Sequence, residues 1–151
     1  MPFSKKQRGH TFFLILFFVC LGFTTEVFFT AFYALFENEP IDGKPLSALA
    51  GMTYVWMAFI YALIPIIGKL LLHKILPKPI YVRLFIYVSL IYIIEFSAGA
   101  FLELLTGSCP WKYTKGWHVM GWIRLDYFPA WTIFAWTIER LYVYIDNKVI
   151  K

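Results

Sequence analysis

This chain predicts an all-α membrane fold, a four-transmembrane-helix bundle with both termini on the cytoplasmic side. Three observations carry that prediction: apolar runs long enough to cross a bilayer, acids set inside those runs, and an uneven distribution of lysine and arginine between them. The composition agrees, at 60% hydrophobic and 21% aromatic with a mean hydropathy of +0.66. Polar surface of the usual extent could not cover that much apolar side chain in a soluble domain. The partner implied is the lipid bilayer, and residues 1–151 read as a single integral membrane domain. A net charge of +5 would suggest nucleic acid in a soluble protein, but here the basic residues fall between apolar runs, where topology accounts for them. Nucleic acid is therefore excluded as a partner.

The spans are expected at about residues 11–36, 46–68, 84–105 and 127–145. The first is uncharged but for Glu26 and the second carries no charge. The third contains the deep acid Glu95, and the fourth holds the adjacent pair Glu139 and Arg140 toward one end, where long side chains can reach the interface. "KKQR" before an apolar run could open a secretory signal, yet this run exceeds the roughly 7 to 15 residues of such a segment and has no small-residue cleavage site. An uncleaved first helix is expected. Ten lysines and arginines fall in the N-terminal, 69–83 and C-terminal segments, against four on the other side, Lys44, Lys112, Lys115 and Arg124. The excess is expected inside.

Two outer connections follow. "ENEPIDGKP" is a short acidic turn, whereas "TGSCPWKYTKGWHVMGW" is longer and aromatic. Trp111, Tyr113, Trp117 and Trp122 form either an interfacial aromatic belt or a lid that re-enters over a cavity.

The halves resemble one another. Glu26 and Glu95 lie at matching positions in spans one and three, about 20 Å from the inner boundary at 1.5 Å per residue. Trp56, Phe59 and Tyr61 recur as Trp131, Phe134 and Trp136. Together they suggest a tandem repeat of two helical hairpins, with Glu26 and Glu95 as mates that face each other.

A carboxylate at bilayer centre costs at least ~2.5 kcal/mol, so Glu26, Glu95 and Glu139 are the candidate substrate- or ion-binding residues. Glu95, Gly99 and Glu103 recur at four-residue spacing, as do Gly22, Glu26 and Thr30, and small residues let backbones approach. Lys69, Gly99, Glu103, Trp111 and Tyr113 are the supporting residues, with Lys69 either pairing Glu139 or reaching the inner interface. The alternative for each acid is a protonated hydrogen-bonding contact between helices. Pro65 should kink the second span. Cys20 and Cys109 are too far apart in sequence for a metal pair, no metal-ligand spacing occurs, and no cofactor is implied.

With "EVFFT", "VWMAFIY", "YIIEFSAG", "CPWKY" and "MGWIRLDY" in this order, the chain resembles the transmembrane protein 229 family and its bacterial relatives, the ABC-transporter type IV membrane proteins. The resemblance covers about residues 9–144 and implies a transport-associated membrane component. The family's loop has an acid between its Trp and Tyr, where this chain has Lys112, and some relatives have an acid where Lys69 stands. No G-x-x-x-x-G-K-[ST] nucleotide loop is present.

Three functions compete. One is a permease-like transporter holding a proton or cation at the acids. Another is an accessory or structural subunit of a membrane complex, not an enzyme. The last is an enzyme at the outer interface, for which Cys109, His118 and Asp126 would be nucleophile, base and orienter. A four-helix bundle leaves little room for a cavity, which favours a homo-oligomer or a membrane-protein partner.

The predicted topology has a direct test in intact cells. In a background without Cys20 and Cys109, a cysteine placed within residues 37–43 reacts with an impermeant maleimide, and one placed within 77–82 stays protected.

Overall fold

The computed structural model describes residues 5–149, and of those it describes the side chains of residues 9–148. Four α-helices follow one another: α1 (Lys5–Glu37), α2 (Met57–Ile75), α3 (Ile80–Thr106) and α4 (Phe128–Val149). Between α3 and α4 lies a two-stranded antiparallel hairpin, β1 (His118–Val119) and β2 (Ile123–Arg124), in which His118 pairs with Arg124 and Val119 with Ile123. Among the described residues three helical segments are long and apolar enough to cross a membrane, Gly9–Glu37, Met57–Ile75 and Ile80–Thr106. The chain divides into two compact units at Ile66/Ile67, one residue past Pro65 of α2.

In the first unit three of the four threonines of α1 lie deep in its apolar run. Thr24, Thr25 and Thr30 return their hydroxyls to the carbonyls of Cys20, Leu21 and Glu26 at 2.8, 2.8 and 2.9 Å. That is how a hydroxyl is kept satisfied in a lipid-facing helix. Asn38 ends α1 with a φ of 55°, and the Glu39 amide donates to the Ala34 carbonyl at 3.0 Å, so an exposed helix end is closed by its own chain.

The second span begins later than the sequence suggested. Leu46–Ala48 is a single 3-10 turn, residues 49–56 are not helical, and α2 starts at Met57 and continues seven residues past Gly68. Packing explains the difference. A Cβ on Gly51 would fall 1.9 Å from the Val27 carbonyl oxygen, so Gly51 lets this segment lie directly on the backbone of α1. Thr30 accepts from the Met52 amide at 2.8 Å and reaches the Met52 carbonyl at 3.0 Å. Leu49 takes a φ of 47° as the segment turns. Non-helical backbone at such a position is tolerated because another part of the chain supplies its hydrogen bonds.

In the second unit Pro79 precedes α3, and Gly107 closes it at a φ of 82°, its amide donating to the Glu103 carbonyl at 2.9 Å. Val88, Glu95, Gly99 and Leu102 form the buried side of α3, and Ala135, Glu139 and Tyr142 form that of α4. Gly68 of α2 admits the Tyr142 ring, which would meet an added Cβ at 2.7 Å.

Gly51→Ala should cost about 1 to 3 kcal/mol, because the Val27 backbone must move to admit the methyl group. Gly9→Ala, with nothing within 4 Å of the added atom, should cost nothing. Thermal unfolding of both variants in one detergent, followed by near-ultraviolet circular dichroism, checks the contrast.

Candidate functional site

Glu26 is half-buried on α1, eleven residues before its end at Glu37. The Gly22 backbone one turn earlier admits the Tyr61 ring, which would meet an added Cβ at 2.3 Å. Lying there, Tyr61 brings its hydroxyl to Glu26 Oε2 at 3.0 Å, and Thr53 of the non-helical segment donates to the same oxygen at 2.8 Å. No basic side chain bonds to Glu26 among the described residues. From Thr11 to Phe36, and again from Leu46 to Ile66, Glu26 is the only charged residue in the sequence.

Glu95 is also eleven residues from the end of its helix, at Thr106, and is 6% exposed. The Tyr113 hydroxyl donates to its Oε1 at 3.0 Å. Along the same face Gly99 admits Trp122, whose Cβ would lie 2.9 Å from an added Cβ, and also faces the Cys109 sulfur. Trp122 Nε1 donates to Glu103 Oε2 at 2.6 Å, while Lys112 Nζ lies 3.0 Å from Glu103 Oε1. Trp111 Nε1 donates to the Trp122 carbonyl at 3.1 Å and Phe96 packs edge-on against the Trp122 ring. The expected supporting residues Gly99, Glu103, Trp111 and Tyr113 thus come together with Glu95 where the loop between α3 and α4 meets α3.

That loop is itself braced. Arg124, 7% exposed, binds Asp126 through two nitrogens, donates to the Tyr127 hydroxyl at 3.1 Å and lies over the Tyr127 ring. Gly116 leaves space for the guanidinium, which would come within 2.4 Å of an added Cβ, and its φ of 73° also suits glycine. Asp126 Oδ1 accepts the Trp117 amide as well, and the Arg124 hydrogen bond holds the Asp126 carboxyl below its usual range. Met120 and Gly121 both take positive φ at the hairpin tip. Of the loop rings, Trp111 is buried and Trp117 is 78% exposed.

Glu139 has a different environment. Arg83 Nη2 lies 3.0 Å from its Oε1, and the Tyr87 hydroxyl donates to Oε2 at 2.7 Å. Arg83 also donates to the Leu76 carbonyl at 3.1 Å, so one guanidinium ties the α2–α3 turn to α4. Lys69 is an exposed residue of α2, and of the two roles open to it the pairing with Glu139 falls to Arg83. The reason is spacing. Arg83 and Tyr87 are one turn apart on α3 and meet both carboxylate oxygens together.

The three residues weighed for an enzyme have different settings. Burial pushes the Cys109 thiol up, which disfavours the nucleophilic thiolate. His118 is exposed on β1, and Asp126 is bound to Arg124. Arg83, Tyr87, Thr53, Tyr61 and Trp122 were not singled out from sequence as site residues. For Tyr61 and Trp122 the signal was the glycine one turn before an acid, in Gly22–Glu26 and Gly99–Glu103, which marks a seat for a ring with a polar tip; Thr53, Arg83 and Tyr87 carried no comparable mark.

Replacing Arg83 alone with Leu strands a buried carboxylate and should cost about 3 to 5 kcal/mol, whereas joint replacement of Arg83 and Glu139 by Leu should recover most of that loss. Denaturant titration of the two variants against wild type checks the ordering.

No protein-family model matches the chain, and no solved structure matches it.

Proposed function

We propose that the chain is a small multi-pass membrane protein of permease-like type, in which an acid within the spans holds a proton or cation. The observation that carries this reading is Glu26, an acid in an apolar helix whose side-chain hydrogen-bond partners among the described residues, Thr53 and Tyr61, are both neutral hydroxyls. Glu139, by contrast, has a guanidinium beside it and needs no other positive charge. An ionisable group kept within a span against its desolvation cost is a functional candidate by default.

In this reading α4 is the fourth span, both termini are cytoplasmic, and the chain is a tandem pair of helical hairpins. The equal distances of Glu26 and Glu95 from their helix ends support the repeat. The motifs quoted above support assigning the chain to the transmembrane protein 229 family. So few helices enclose little volume, which favours a homo-oligomer.

The alternative is an accessory or structural subunit, in which the acids serve as packing contacts. Glu95, Glu103 and Glu139 each accept hydrogen bonds from within their own unit, which is what acids used for holding a chain together would do.

The purified protein, reconstituted alone in vesicles, should dissipate an imposed pH or cation gradient, and Glu26→Gln should reduce this to the leak of empty vesicles. Vesicles that show only that leak, with a stoichiometric membrane protein recovered alongside the chain in mild detergent, would establish the accessory reading instead.

A further inference from the structure

Both hydroxyls that reach Glu26 converge on one oxygen. Thr53 and Tyr61 donate to Oε2 at 2.8 and 3.0 Å, and no hydrogen bond among the described residues reaches Oε1. A neutral carboxyl group has this asymmetry: its carbonyl oxygen has two lone pairs and accepts twice, while its other oxygen carries the hydrogen. The surroundings point the same way. Within the unit, α1 from Thr11 to Phe36, segment 46–56 and α2 as far as Ile66 contribute no charge other than Glu26, and the titratable group that meets it is the Tyr61 phenol. A bare carboxylate there would be partly desolvated with no basic side chain bonded to it among the described residues, and an ionised group taken out of water without a partner is costly.

A metal cation fits less well. Hard cations take several oxygen ligands, commonly six or so. Here the two nearest side-chain hydroxyls direct their hydrogens to the carboxylate, and no group of three or more His, Cys, Asp or Glu side chains suited to a metal ion occurs among the described residues. The segment bearing Thr53 is anchored independently of Glu26, through Thr30 on Met52 and Gly51 against Val27. A proton can therefore arrive or leave while the donors remain in place.

Resting on the proposed acidic site, we infer that the occupant of Glu26 is a proton, carried on Oε1 at neutral pH, with Thr53 and Tyr61 reading the carbonyl oxygen. Infrared difference spectroscopy of the full-length protein in lipid tests this without requiring transport. Wild type should show a protonated-carboxyl stretch at neutral pH that Glu26→Gln lacks. Tyr61→Phe should move the same band to higher frequency, because the carbonyl oxygen loses one of two hydrogen bonds, and this variant keeps the acid in place if the glutamine form inserts poorly.

The inference is overturned if wild type has no such band, if the band survives in Glu26→Gln, or if sodium, potassium or calcium at constant pH abolishes it. A band that behaves as expected in a protein that moves no ions would leave the proton site standing and remove only the permease reading.

Discussion

A polar group within an apolar helix has to be satisfied by the chain itself, and this constraint organises the structure around its acids. Hydrocarbon offers no hydrogen bonds, so each unsatisfied group would cost several kcal/mol. The chain meets the requirement twice with the same device. A glycine one turn before an acid removes the side chain that would keep a ring away, and an aromatic residue with a polar tip lies across the gap. Tyr61 does so over Gly22 to reach Glu26, and Trp122 over Gly99 to reach Glu103. The apolar body of the ring and its donor are both used.

The connections between helices depend on these acids in turn. The segment before α2 adds its Thr53 donor to Glu26, and the loop between α3 and α4 sends Tyr113 to Glu95 and Trp122 and Lys112 to Glu103. The loop's internal brace, Arg124 with Asp126 and Tyr127, holds it in the form that presents those side chains. On α4 the same logic takes an ionic form, since Glu139 receives a guanidinium as well as a phenol. Two kinds of acid result, one with a formal counter-charge and one with neutral donors.

Apolar runs and embedded acids were legible in the sequence because length and charge suffice to find them. The segment 46–56 was not, for it contains no charge, and hydropathy cannot distinguish a helix from extended backbone laid along a neighbouring helix. Gly51 was its one visible mark, and its meaning depends on where Val27 lies. Glu139 was found but its partner was not. Arg83 sits 56 residues away, and in sequence it counted only toward the positive charge of the inner loop. Gly99, Glu103, Trp111 and Tyr113 were recognised individually, whereas their gathering with Glu95 required the fold of the loop. The hairpin of β1 and β2 was unreadable, with strands of two residues each and a non-glycine residue, Met120, at positive φ.

The lengths of α1 and α2 carry a consequence for the lipid. The apolar stretch Gly9–Glu37 has 29 residues and Met57–Ile75 has 19, which at 1.5 Å per residue gives about 43 and 28 Å. Only the shorter matches a hydrocarbon thickness of ~30 Å without adjustment. The longer must tilt, protrude or thicken the surrounding bilayer, each at fractions of a kcal/mol per ångström of mismatch. Lipids bordering two such spans would meet different demands, and a membrane of greater thickness would relieve one while straining the other.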